Sequence, residues 1–104
     1  MIKQLRALLD KKAFQYTIRA KSEEIYNASI QLLRKHGEGS DVGTWLGYIK
    51  NAATKMMRFC EGRGLLGNKV EFDHQKAGGL VESMELSIKK IGVILRIEFK
   101  ETQS

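Results

Sequence analysis

Two stretches of apolar residues at helical spacing limit what this chain can form more than any other feature. In the first, Ile25, Tyr26, Ala28, Ile30, Leu32 and Leu33 make a broad stripe. In the second, Trp45, Leu46, Ile49, Ala52, Ala53, Met56, Met57 and Cys60 recur with the period of an amphipathic helix. Ser22 supplies an N-cap for the first helix, with Glu23 and Glu24 on its positive end, and Arg34, Lys35 and His36 suit its negative end. Gly37 then offers a left-handed stop. Helices are therefore expected over 22–36 and from Thr44 to Cys60, joined by the loop EGSDVG. Such a connection makes an antiparallel αα-hairpin. Gly47 weakens the second helix locally and invites close approach of a neighbouring backbone.

Around this hairpin the pattern reads as mixed. Ile2, Leu5, Leu8 and Leu9 predict a short helix over 2–12. Phe14, Tyr16 and Ile18 alternate with Gln15, Thr17 and Arg19, which predicts a strand over 13–20; the competing reading is one long helix running through to His36. Val70 and Phe72 alternate with Glu71 and Asp73, a short strand over 69–73, and Val93, Leu95, Ile97 and Phe99 predict a last strand over 93–100. Residues 79–91 fit a helix through Leu80, Met84, Ile88 and Ile91, or a strand through Met84, Leu86 and Ile88, and helix is preferred. The expected fold is α+β: a single domain over 1–104, with three to four helices packed on one face of a small, mainly antiparallel sheet. An unpaired edge of that sheet would suit a homodimer.

The stretch RFCEGRGLLGNKVEF places Gly62, Gly64 and Gly67 at the spacing of a dinucleotide-binding loop. In that loop a strand precedes the glycines and a helix follows. Here the order is reversed, so Gly62 reads as a helix stop and the others as turns. What remains of interest there is cationic: Arg58, Arg63 and Lys69.

Charge gives the main functional signal. The net charge is +6, and it is uneven, since residues 1–69 hold 13 Lys/Arg against 6 Asp/Glu while residues 70–104 hold 5 against 6. A basic first part points to an anionic partner. Between Thr44 and Cys60 there is no acid, and Asn51, Lys55 and Arg58 fall opposite the apolar stripe with Lys50 and Thr54 beside them. A helix face of this kind docks on phosphates. The sequence thus predicts a small basic nucleic-acid-binding protein, DNA or RNA, contacting backbone through Lys50, Asn51, Lys55, Arg58, Arg63 and Lys69. The alternative is an assembly module whose basic surface meets an acidic protein. The EGSDVG loop is longer than the turn of about 3–4 residues in a helix-turn-helix, so that motif fits weakly. Phe14 and Tyr16 lie beside Arg19 and Lys21, a composition that can stack bases, but their shared face with Ile18 reads as core.

Other chemistry is sparse. A small nuclease or toxin-like enzyme would need His74 as base, with Arg63 or Lys76 on phosphate. Asp73 and His74 on a strand would point to opposite faces. Two histidines and one cysteine at these spacings make no zinc site, and no cofactor is expected. The lone Cys60 fits a reducing, cytoplasmic setting. Lys3, Gln4 and Arg6 break any secretory leader, and no apolar run reaches the ~20 residues of a membrane span. The chain lacks proline, which excludes polyproline recognition segments.

Overall fold

The computed structural model describes residues 1–62, 69 and 71–103, with side chains described as far as Ile94. Four helices follow in order: α1 (Ile2–Asp10), α2 (Gln15–His36), α3 (Asp41–Cys60) and α4 (His74–Gln103). There is no strand or sheet among the described residues, so the α+β expectation is overturned, and with it the sheet edge as a route to a homodimer.

The hairpin is as expected in kind and longer in extent. Ser40 caps α3, its Oγ accepting the Gly43 N–H at 2.9 Å, which starts the helix at Asp41 rather than Thr44. The connection shrinks to residues 37–40. At its start Gly37 takes φ +85°, and its N–H bonds the Leu33 carbonyl at 2.8 Å. At the far end of the hairpin, Arg19 near the start of α2 donates to Glu61 just past α3 at 2.7 Å. The two helices therefore run antiparallel along their whole length, and do not diverge as a helix-turn-helix pair does.

Two of the expected strands fall inside longer helices, 15–20 in α2 and 93–100 in α4. In α2 the buried row is Ile18, Ser22, Ile25, Ser29 and Leu33, and in α4 it is Ala77, Val81, Met84, Ser87 and Ile91. Both rows have helical spacing, and their serines lie on the interior face with the apolar residues. Ser22 is no cap: its hydroxyl donates to the Ile18 carbonyl at 2.9 Å, as Ser29 does to Ile25 at 2.8 Å and Ser87 to Ser83 at 2.9 Å. This bond to the carbonyl one turn back satisfies a buried hydroxyl without a partner from another helix. The alternation of Phe14, Tyr16 and Ile18 is accidental, because Ile18 alone is buried and residues 15–20 lie inside α2. Residues 79–91 are helical, and α4 runs on through 93–100. Residues 71–73 form an irregular lead into α4, and Val70 lies outside the described residues.

Helix α3 lies at the centre, packed against α2 on one flank and α4 on the other, while α1 lies against both α2 and α4. The core runs through all four, with Leu5, Ile18, Met56, Val81 and Met84 fully enclosed. Arg6 of α1 grips Glu85 of α4, and Lys21 of α2 reaches Gln4 of α1 at 3.1 Å and Glu24 at 2.7 Å. Exposed pairs of this kind orient helices more than they stabilise them. One face of the central helix is left open to solvent.

Candidate nucleic-acid interface

The open face of α3 is the row Thr44, Tyr48, Asn51, Lys55 and Arg58, all exposed. These positions fall one turn apart because the buried positions of the same helix are turned to α2 and α4 on either side. No ion pair among the described residues involves Lys50, Lys55 or Arg58. By contrast Arg6, Arg19 and Lys21 are all engaged between or along helices. Arg6, Arg19 and Lys21 thus tie helices together or pair along α2, whereas Lys55 and Arg58 on the α3 face are left without an ion pair among the described residues.

Of the sequence-selected residues, Asn51, Lys55 and Arg58 are brought together in that row. Lys50 stands off it, half-buried, in a small pocket shared with Leu33, Glu38 and Gly47. Lys69 is exposed in the segment joining α3 to α4, at the end of the bundle where Arg58 lies. Arg63 lies outside the described residues, as do Gly64 and Gly67. Gly62 takes φ +75° and its N–H bonds the Phe59 carbonyl at 3.0 Å, so it is the stop of α3. Because α4 begins only at His74, that glycine follows a helix instead of opening one.

Tyr48 escaped the sequence reading, and Phe14 and Tyr16 lie outside the core where that reading put them. Tyr48 stands in the exposed row and meets Trp45 edge to face at 5.3 Å between ring centres. Its place four residues from Thr44 and three from Asn51 was a legible signal. Phe14 and Tyr16, expected inside, are 74% and 73% exposed and stack on each other.

The residues with catalytic potential are arranged for structure. Asp73 Oδ1 accepts the Gln75 N–H at 2.9 Å and caps α4, which takes that carboxylate away from His74. The His74 ring sits edge-on to Phe72 at 4.9 Å, and its Nε2 has no partner among the described residues. Nor do three His, Cys, Asp or Glu side chains gather among those residues where a metal ion could sit. No described helix is long and apolar enough to cross a membrane.

Burial pushes the Cys60 thiol up to about 11, with Arg19 opposing the shift. Its ordinary value is 9.0, so the native thiol stays protonated where an unfolded one ionises. The contribution to stability is full below about pH 9 and disappears as pH rises through about 11. A thiol reagent at pH 8 is expected to label native Cys60 roughly a hundredfold more slowly than the unfolded chain, from thiolate fraction alone. Equal rates would show the thiol to be open.

Comparison with family models, with curated proteins and with solved structures finds no match to this chain.

Proposed function

We propose that the protein binds nucleic acid through its phosphate backbone, using the outer face of α3. The observation that carries this reading is the exposed row Asn51, Lys55 and Arg58, acid-free between Asp41 and Glu61, with both cations unpaired among the described residues. Unpaired cations on one rigid helix keep a positive potential that a polyanion neutralises, releasing its condensed counterions. Asn51 and Tyr48 add neutral donors to the same face. Lys50 and Lys69 flank it. The lone buried thiol supports a reducing, cytoplasmic setting.

Titration of the protein with single-stranded and duplex oligonucleotides at two salt concentrations tests this. Three phosphate contacts, from Lys50, Lys55 and Arg58, give a log–log salt slope of about −2 on single strands and about −3 on duplex. Salt-independent binding, or none tighter than ~100 μM, contradicts the reading. Retention of an acidic protein on this face by a chain indifferent to nucleic acid would favour the assembly alternative.

A second observation favours self-association alongside. An apolar groove of about 400 Å³ opens between α1, α2, α3 and α4, lined by Met1, Ile2, Ile25, Leu32, Leu46 and Ile88 among others. Met1, Leu32 and Ile88 of its lining are between 42% and 57% exposed, so apolar surface is open to solvent there. A patch like this closes on a second copy about a two-fold axis. Light scattering should then give a dimer mass that Ile88→Asp reduces to the monomer, and a monomer at every concentration tested rules the contact out.

A further inference from the structure

Where α1 passes into α2, the chain holds two aromatic rings in water. Lys12 takes φ +54°, a left-handed conformation that ends α1, and the Ala13 N–H closes back on the Leu8 carbonyl at 3.0 Å. Phe14 follows with extended backbone as the N-cap of α2. This sharp reversal throws Phe14 and Tyr16 outward, away from the core that Ile18 enters. Their rings lie 5.7 Å apart between centres and within 9° of parallel. The pair presents flat π surface to solvent.

Beside the rings is an open pocket of about 540 Å³ whose lining includes Lys12, Gln15 and Arg19 and, among the described residues, no carboxylate; Lys12 also borders a neighbouring pocket that holds Glu71 and Asp73. Arg19 is held at the rim by Glu61 and Glu23. Lys12 is exposed and makes no ion pair among the described residues. Flat aromatic surface, a free ammonium and a side-chain amide together select a ligand that is planar, hydrogen-bonding and anionic. A peptide side chain meets the first demand and an isolated phosphate only the last. A nucleotide meets all three, provided its base is not already stacked in a duplex.

We infer that Phe14 and Tyr16 form a stacking platform for an unpaired base of a single-stranded nucleic acid, with Lys12 on the adjoining phosphate. The inference rests on the nucleic-acid reading above and sharpens it: the preferred ligand is a single strand. Gln15 meets the edge of the stacked base.

The test uses the full chain with three oligonucleotides of equal length: an ordinary single strand, an abasic strand with the same phosphates, and a duplex. The ordinary strand is expected to bind about 5- to 150-fold more tightly than the abasic one, the range for one stacked base. Phe14→Ala with Tyr16→Ala should bring the ordinary strand down to the abasic level while leaving abasic binding unchanged, and Tyr16→Phe should keep the difference. Both rings are exposed, so an unchanged melting curve confirms the double variant as folded. Equal binding of ordinary and abasic strands, both salt-dependent, overturns the platform and leaves the phosphate reading standing. Binding of neither overturns both. A dimer mass that the double variant halves overturns the platform too, by assigning the rings to a contact between copies.

Discussion

Gly43→Ala lowers the stability of this bundle by about 2–3 kcal/mol, whereas Gly47→Ala, one turn along the same helix, raises it by about 0.5–1 kcal/mol. The same methyl group meets opposite surroundings. A Cβ at Gly43 would run into the carbonyl oxygen of Gly37 and come within 3.0 Å of both the Gly37 carbonyl carbon and Ser40 Oγ. None of those atoms is free to retreat. Gly37 is fixed at φ +85°, and its carbonyl accepts the Ser40 hydroxyl at 2.8 Å and the Ser40 N–H at 3.4 Å. Ser40 Oγ in turn holds the Gly43 N–H. At Gly47 nothing lies within 4 Å of the added carbon, so only the helix preference for alanine acts. Close backbone approach, which the sequence suggests at Gly47, belongs to Gly43.

Thermal unfolding checks both signs together. For a domain of this size about 4–8 °C accompanies each kcal/mol, so Gly43→Ala melts roughly 10–20 °C lower and Gly47→Ala a few degrees higher. A Gly43→Ala melting point within about a degree of the native one, against that ~10 °C scale, would remove the tight 37–43 turn from the account. The turn matters beyond stability, because it fixes the phase of α3 against α2. That phase decides that Asn51, Lys55 and Arg58 face water.

What could be read in advance follows from how strong each local pattern is. Helix α3 carries a continuous apolar stripe from Trp45 to Cys60, and its polar face is legible by subtraction, which is why Asn51, Lys55 and Arg58 were found together. The stops at Gly37 and Gly62 were equally legible, since both need a positive φ that glycine adopts freely. Reading Ser22 as an N-cap, when it is interior to α2, cut residues 15–20 off from that helix. The short alternation at 93–100 fits a strand only when it is separated from the helix that runs into it. The aromatic pair was misplaced with the strand at 13–20: Phe14 and Tyr16 share a face with Ile18 only if those residues are extended. Nor does sequence disclose which cations are taken up by carboxylates. Arg19 finds Glu61 only after two helices have folded back on each other, and Arg6 finds Glu85 across most of the chain.

The second large effect falls on binding. If the proposed α3 interface is right, Lys55→Glu with Arg58→Glu removes two charge-assisted phosphate contacts and puts two repelling carboxylates in their place. Each such contact is worth about 1.5 kcal/mol or more, so affinity for an oligonucleotide drops on the order of a hundredfold. The fold should be untouched, because neither side chain is paired among the described residues and both are exposed. Lys89→Glu with Lys90→Glu on α4, also exposed, makes a control of identical charge change. The decisive measurement is the salt dependence of single-strand affinity in these two variants beside the native chain. If α3 carries the phosphate contacts, the Lys55/Arg58 variant loses about 1.4 from its log–log slope while the α4 control keeps nearly all of it. Equal losses in the two variants would mean that overall charge drives binding and that the α3 face is not the site.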